Sequence, residues 1–382
     1  MGRWGRRGGD RKKEALKNEN NSHLCVTSHA EKKRTSGVDF ARVIQPLEHL
    51  NGWTDGEVKI KADVWNIYDN NKADWRKIAK DYDIIYFNYL NQAWGFAAMG
   101  CMARKYGRKL VMDIDDDLWD ILPDNAAYQV YKKGSEGIKV ITSIANEVDY
   151  ITCTNSYLKN AIAHNTFKRH EFIKVFPNYI DLDLYKYRPR FKNTPQIQLV
   201  HFGSSSHFTD LQSEEFNKGI DKILKEYPNV TFKTVGAFIP KYKLRWGARY
   251  AHSFGDTDVY RWIKNKFPLV MRETDIFVAP LVDNLYDRCK SSIKFLEASS
   301  AKRVGVWQNI RQYQQVVEHG KNGFLARTAE DWYKNIKYLI DNPEERKIMG
   351  ENAFKTVERD WQISNHLDEY GQFFKEVATK KD

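Results

Sequence analysis

The polar segment after the apolar run 276–280 carries the side chains best suited to bind a phosphorylated ligand: Lys290, Ser291, Ser292, Lys294 and Glu297. The apolar run predicts a parallel strand, so the segment follows the carboxyl end of a strand, where open α/β sheets bind ligands. The two serines are predicted to cap a helix whose unpaired amides and neighbouring lysines suit a diphosphate. The glutamate, further along that helix, would accept hydrogen bonds from two vicinal hydroxyls. A solvated loop followed by an ordinary amphipathic helix fits the same spacing.

A second cluster consists of the aspartates in the run 113–117, which follows directly on the predicted strand 109–112. Carboxylates at the end of a strand can bind a divalent cation, bond the hydroxyl groups of a ligand or accept a proton. A helix cap in a solvated acidic run is the structural alternative. These interpretations all stay open on the spacing alone.

The 382 residues exceed what one hydrophobic core usually organises, so two domains with a cleft between them are expected. A mean hydropathy of −0.66 and the lack of a long apolar segment predict a soluble protein without a transmembrane helix. The basic amino terminus has no apolar core behind it, which argues against a secretory signal and for a cytoplasmic location. Four cysteines without a paired spacing argue against disulfides and structural zinc, and no metal site is predicted.

The formal net charge of +11 favours an anionic partner, whether a nucleotide, a phospholipid surface, a teichoic-type polymer or a nucleic acid. Residues 1–22 hold seven Lys or Arg against three Asp or Glu and are predicted to form a disordered tail. The tail is either a solubilising arm or an arm that binds RNA or DNA, and peripheral contact with a membrane also stays open.

Strands and helices alternate along almost the whole chain, which is typical of parallel α/β architecture. Strands are predicted at 24–27, 83–87, 109–112 and 149–152, and, after a basic linker at 185–195, at 198–202, 230–235, 276–279, 303–307 and 323–326. Helices are predicted at 36–50, 92–106, 155–163 and over most of 329–379. The predicted divisions are a basic tail 1–22, a Rossmann-like domain 23–190, a second one 191–360, and a final helix 361–382 that packs back on the first domain.

Two such sheets facing each other across a cleft resemble the GT-B fold of glycosyltransferases, in which both domains are Rossmann-like and doubly wound. Segment 175–181 is similar to the Pro-Asn-Gly-Ile-Asp turn of the retaining enzymes of glycosyltransferase family 4, with Tyr179 in place of the glycine. Segment 201–211 resembles the strand, glycine loop and helix start that open the donor domain. Segment 290–297 resembles the diagnostic donor motif of the family.

The resemblance implies donor-binding roles for Gly203, Ser204, His207, Lys290, Ser291, Ser292, Lys294 and Glu297. Gly203 would let the backbone approach the phosphates, and Glu297 would bond the donor ribose. The family has another glutamate eight positions earlier, which contacts the donor sugar, and Cys289 occupies that position here. Either Asp287 or Asp283 replaces it, or backbone amides and Lys290 bind the sugar instead.

In the first domain, the loop 36–42 resembles the glycine-containing loop that faces donor and acceptor in these enzymes. By this resemblance, Gly37 and Arg42 would bind the acceptor or the donor sugar. The position of Asp113 at the end of a strand predicts the same role for it. A turn followed by a helix with a solvated arginine is the alternative for the loop.

The predicted catalytic residues are Asp115, Asp116 and Lys294. Either aspartate would bond sugar or acceptor hydroxyls or accept the acceptor proton, while the lysine would stabilise the departing diphosphate. The acidic run also resembles the metal-binding Asp-x-Asp of GT-A transferases, and the Asp-x-Asp of haloacid-dehalogenase-type phosphohydrolases with Asp113 as nucleophile.

The resemblance implies an enzyme that transfers a sugar from a nucleotide-diphosphate sugar, with UDP or GDP as the favoured nucleotide, and that retains the anomeric configuration. No further cofactor is implied, and a surface glycan is the expected acceptor. Three alternatives stay open: a DNA- or protein-directed glycosyltransferase, an Asp-x-Asp phosphohydrolase, and a nucleic-acid-binding protein without enzymatic activity.

Overall fold

The computed structural model describes residues 22–29, 36–65, 74–89, 93–125, 127–185 and 195–380. The predicted basic tail, apart from Ser22, and the predicted linker between Tyr185 and Pro195 lie outside the described residues.

The first sheet has six parallel strands in the spatial order β2-β1-β3-β4-β5-β6. Its strands are β1 Ser22–His29, β2 Val58–Trp65, β3 Ile84–Asn88, β4 Lys109–Ile114, β5 Tyr150–Cys153 and β6 Ile173–Val175. The central strands are apolar and covered on both faces, as parallel strands between helices must be, and every residue of β3 is buried. The strand order reverses between β1 and β3, so the crevice of this sheet opens at their carboxyl ends.

The second sheet is also parallel, with six strands in the order β12-β11-β10-β7-β8-β9. Its strands are β7 Ile197–Gly203, β8 Val230–Gly236, β9 Tyr250–Ser253, β10 Ile276–Ala279, β11 Gly305–Gln308 and β12 Phe324–Ala326. Here the order reverses between β7 and β10. The ligand crevice of the second sheet is therefore bounded by the loops that follow these two strands.

Helices cover both sheets. Those of the first half are Gly37–Asp39, Phe40–Ile44 (π-helical) and Gln45–Leu50 in one continuous run, then Trp75–Asp81, Ala93–Tyr106, Tyr128–Tyr131, Glu136–Glu147 and Ser156–Asn165. Those of the second half are Phe208–Leu211, Glu214–Glu226, Pro240–Trp246, Val259–Arg261, Trp262–Lys266 (π-helical), Phe267–Glu273, Leu285–Arg288, Ile293–Ser300, Arg311–Gln314, Ala329–Asp341, Pro343–Asp360 and Leu367–Thr379. Short 3-10 turns lie at His170–Phe172, Ser205–His207, Gly247–Arg249 and Ile363–His366.

The predicted α/β architecture is confirmed, but three strands escaped prediction, namely β2, β6 and β9. The strand β2 alternates lysines with apolar residues at the edge of its sheet, and the other two have only three or four residues. Because β9 was missed, the strand Ile276–Ala279 was counted as the third of its sheet, whereas it is the fourth along the chain.

The last helix, Leu367–Thr379, leaves the second sheet and packs on the first. Tyr370, Phe373 and Phe374 join the buried cluster that contains Val26 of β1. The rings of Phe176 and Tyr370 stack with their centroids 4.1 Å apart. The chain therefore crosses between the two sheets twice, once after residue 185 and once near residue 361.

Candidate active site

A cavity of about 360 Å³ lies between the carboxyl ends of the two sheets. Ten of the predicted site residues line it: Gly37, Arg42, Asp115, Asp116, Ser204, His207, Lys290, Ser291, Lys294 and Glu297. Gly203, Ser292 and Asp113 do not line it. The lining also includes residues that the sequence did not single out, among them Gln45, Thr154, Asn178, Tyr185 and Tyr313.

The second sheet contributes a buried lysine to this cavity. Lys294 is the second residue of the helix Ile293–Ser300, and its Nζ is 2.6 Å from Nε2 of His207, in the loop after β7. Burial and the charge of Lys290 lower the pKa of Lys294 to about 8. Burial and the two lysines also lower the pKa of His207 well below its ordinary value, so the imidazole is neutral at pH 7.

Gly203 is needed for close packing at the end of β7. A Cβ at this position would lie 2.8 Å from Cδ2 of His207 and 3.2 Å from Cε of Lys294. Any side chain would therefore displace the histidine and the lysine from their contact. The backbone of Gly203 supports the site without lining the cavity.

The helix start at Ile293–Ser300 differs from the prediction in one respect. Ser292 is the N-cap residue, but its side chain makes no capping hydrogen bond. The predicted cap at Ser292 is therefore wrong, and the Ser291 hydroxyl accepts the 3.4 Å bond from the Ile293 amide instead. The same hydroxyl accepts a hydrogen bond of 2.8 Å from Nδ2 of Asn178 in the first domain.

Lys290 and Tyr286 join the second domain to the acidic run of the first. The Lys290 ammonium lies 3.4 Å from Oδ1 of Asp116, and the Tyr286 hydroxyl donates to Oδ2 of the same carboxylate at 3.2 Å. Burial alone would lower the pKa of Lys290, but Asp116 and Tyr286 raise it above its ordinary value. Asp116 is therefore already ion-paired across the cleft.

Asp115 offers the cavity an oxygen without a partner. Its Oδ1 is buried and makes no hydrogen bond within the described part of the chain. Burial, together with the charges of Asp116 and Asp113, raises the pKa of Asp115 well above its ordinary value. Among the predicted carboxylates, Asp115 is thus the one whose oxygen stays available to a ligand.

Asp113 has a structural role and does not line the cavity. Nε and Nη2 of Arg42 donate to its two oxygens at 3.0 and 2.9 Å, and both side chains are at most 1% exposed. The hydroxyls of Tyr86 and Thr152 donate to Oδ2 as well. The acceptor or sugar role predicted for Asp113 is not compatible with this saturation, nor is the role of a phosphohydrolase nucleophile.

Arg42 is likewise not the solvated side chain of the alternative interpretation. Its Nη1 donates to the carbonyl of Phe176 at 2.7 Å and to Oδ1 of Asn178 at 2.9 Å. The guanidinium thus links the end of β4, where Asp113 lies, to the turn 176–178. Arg42 and Asn178 both line the cavity.

Glu297 lines the cavity beside a tyrosine from the first half of the chain. The Tyr185 hydroxyl donates to Oε1 of Glu297 over 3.4 Å. Burial raises the pKa of Glu297 to about 7, against the opposing effect of the Lys294 charge. The Trp262 side chain also hydrogen-bonds to this carboxylate.

Cys289, which occupies the position of the family's other glutamate, does not line the cavity. The thiol of Cys289 points into the first domain and donates to Oδ2 of Asp117 over 3.8 Å. Asp287 is 1% exposed and bonded to Asn284, while the exposed Asp283 pairs with Arg288 at 2.7 Å. Neither aspartate lines the cavity, whereas Lys290, the other side chain considered for binding the sugar, does.

The described part of the chain holds neither a cluster of metal ligands nor a helix that could span a membrane. No group of three His, Cys, Asp or Glu side chains in this part of the chain could hold a metal ion. Within the same residues, no helix has both the length and the apolar character to cross a membrane.

Comparisons with known proteins agree with this geometry. The profile of the family "Glycosyl transferases group 1" matches residues 197–342. The structure is similar to Anabaena HepE in complex with UDP and glucose, with 15% identity, a TM-score of 0.60, and coverage of 92% of this chain and 100% of that one.

It is also similar to a glycosyltransferase from Rickettsia africae, with 13% identity, a TM-score of 0.59, and coverage of 94% of this chain and 100% of that one. Sucrose-phosphate synthase from Thermosynechococcus elongatus is 12% identical, with a TM-score of 0.57 and coverage of 93% and 99%. No curated protein sequence matches the chain significantly. The chain therefore has the GT-B fold of these structures, and its residues 197–342 match the family of group 1 glycosyl transferases.

Proposed function

We propose that the protein transfers a sugar from a nucleotide-diphosphate sugar to a glycan acceptor, with retention of the anomeric configuration. The observation that carries the proposal is the convergence of Ser204, Lys290, Lys294 and Glu297 at the crevice between β7 and β10. Hydroxyls and two lysines beside a helix start suit a diphosphate, and a glutamate deeper in the crevice suits a ribose. Retention is proposed from the resemblance to family 4.

A uridine nucleotide is the donor we favour, because HepE is similar in structure over its whole length and its complexes contain UDP and UDP-glucose. We propose that residues 191–360 bind this donor and that residues 23–190 bind the acceptor. In this arrangement Lys290 and Lys294 stabilise the charge that builds on the diphosphate as the sugar leaves.

The nucleotide site is tested by thermal-shift measurements with UDP, GDP, ADP, CDP and their sugars, since a ligand that binds only the native state raises the melting temperature. UDP and a UDP-sugar are expected to give the largest shifts, and transfer or slow hydrolysis of that sugar should follow. The exchange Glu297→Ala removes the ribose acceptor and is expected to weaken UDP about 10- to 100-fold, because hydrogen bonds to charged groups contribute about 1.5–3 kcal/mol.

Calorimetry of UDP binding measures this loss, and Glu376→Ala, an exposed glutamate on the last helix, is the matched control. Unchanged affinity in Glu297→Ala would remove the ribose role. A chain that binds none of the nucleotides would contradict the proposed function as a whole.

We further propose that Asp115 accepts a hydrogen bond from the acceptor hydroxyl and takes up its proton. Because its pKa is raised, the carboxylate form is gained only as the pH rises, so kcat/KM should rise with pH over an acidic limb. Asp115→Asn keeps the shape of the side chain, but the amide cannot take up the proton. We expect kcat to fall about 10²-fold and the acidic limb of the pH profile to disappear. Asp120→Asn, an exposed aspartate in the same loop, is the control. An Asp115→Asn variant with the wild-type pH profile would exclude the role.

A further inference from the structure

Three buried polar side chains form a line that ends in the cavity. The Asp210 Oδ2 is 2.8 Å from Nδ1 of His207, and the opposite nitrogen of that ring is 2.6 Å from Nζ of Lys294. Asp210 and His207 are 1% and 7% exposed. Asp210 does not line the cavity and was not recognised in the sequence, where it follows the Gly-Ser loop as part of a short helix.

The chemistry of the groups fixes the direction of every hydrogen bond in this line. A lysine ammonium only donates, so Nε2 of His207 must accept from Lys294. The neutral ring therefore carries its proton on Nδ1 and donates it to Asp210. The other oxygen of Asp210 accepts the backbone amide of Val282 at 2.9 Å, which anchors the carboxylate to the loop after β10.

The groups around Lys294 restrict the position of its ammonium. His201 donates from Nδ1 to the carbonyl of Val278 at 2.9 Å, and its buried Nε2, on the same side of Gly203, has no hydrogen-bond partner among the described residues. The charged groups that also face Lys294 are Lys290, Glu297 and Asp116. One ammonium proton is thus committed to His207, and the rest of the ammonium is held towards the cavity.

We propose that Asp210 and His207 are positioning residues, which fix the imidazole tautomer that holds the Lys294 ammonium against the leaving diphosphate. The inference rests on the proposed function and adds to it the part of the site that orients the lysine. A correct tautomer matters because an imidazole with its proton on Nε2 would point a donor at another donor. The lysine would then move away from its partner.

The exchange Asp210→Asn tests the tautomer directly. The Val282 amide requires the amide oxygen of the new side chain, so the NH2 group must face Nδ1 of His207 and force the ring proton onto Nε2. The expected result is a fall in kcat of about 10²-fold with a smaller change in the KM for the donor. Asp341→Asn, an exposed aspartate bonded to Tyr227, is the matched control.

A pair of histidine variants separates hydrogen bonding from packing. His207→Gln offers an amide oxygen to Lys294 and is expected to retain more than a tenth of the wild-type kcat, whereas His207→Leu should lose about 10²-fold. Equal kcat in the two variants, or an Asp210→Asn variant with wild-type kcat and an unchanged melting temperature, would overturn the positioning role.

A readout without substrate keeps this inference separate from the proposed function. In lysine-labelled protein without nucleotide, NMR titration should give Lys294 a lower pKa in Asp210→Asn than its value of about 8, because a negative charge and a hydrogen-bond acceptor are both lost. Asp287 and Tyr313 also face Asp210, but they are unchanged in the variant and therefore do not cause the difference between the two pKa values. An unchanged Lys294 pKa would refute the line of contacts, even if transfer is observed. An inactive wild type with the expected shift would refute only the proposed transfer reaction.

Discussion

The exchange Arg42→Met is expected to lower the free energy of unfolding by about 3–5 kcal/mol, which is the usual cost of leaving one partner of a buried ion pair alone. The guanidinium makes two hydrogen bonds to Asp113 and two more to the turn 176–178. Methionine has a similar length, so the loss reflects charge and hydrogen bonding more than volume. Urea denaturation of the purified variant measures it.

The matched control is Arg104→Met, which breaks an exposed pair with Glu147 at 3.3 Å. This variant should lose less than about 1 kcal/mol, because solvent screens exposed pairs. Replacing Asp113 by leucine in addition to Arg42→Met should restore part of the lost stability, since no charge is then left buried. A loss below about 1 kcal/mol in Arg42→Met would show that the pair is not structural and would revive a ligand role for both residues.

The exchange Lys294→Met is expected to reduce kcat about 10³-fold, because a preorganised cation in a site that excludes water stabilises the leaving diphosphate far more than it would in solution. In the proposed reaction the protonated lysine is the active form. Since its pKa is lowered to about 8, wild-type activity should decline as the pH rises through 8, above the acidic limb expected from Asp115. An ordinary lysine would keep its charge to about pH 10.

Steady-state kinetics with the preferred donor, from pH 6 to about pH 10, measure both effects. Lys218→Met, in which an exposed lysine paired with Glu214 is changed, serves as control. A Lys294→Met variant within tenfold of the wild-type kcat would assign the stabilisation to Lys290 or to backbone amides instead.

Local patterns predicted the side of the cavity that the second sheet forms. The run 276–280 has the apolar character of a buried strand, and Lys294 and Glu297 lie in the helix predicted after the polar loop, so both the strand and its position at the sheet edge were predictable. The same holds for the helix 37–50, whose start is capped by Ser36 as its sequence suggests.

Contacts between distant parts of the chain could not be found in this way. Arg42 and Asp113 are 71 residues apart, and the bond between Tyr185 and Glu297 spans 112 residues. Each of these side chains resembles a solvated or core residue in its own neighbourhood, and only the packing of the two sheets pairs them. Asp210 was missed for the same reason, because its role depends on a lysine that is far away in sequence.

The return of the last helix to the first sheet means that the first domain is encoded in two separate stretches of the gene. Its aromatic core is completed only when Tyr370, Phe373 and Phe374 arrive, so folding of that domain during synthesis must wait for the carboxyl terminus. A fragment that ends near residue 190 would expose this apolar surface. Chimeras that exchange the first domain between related proteins would therefore need to carry the final helix together with residues 23–190.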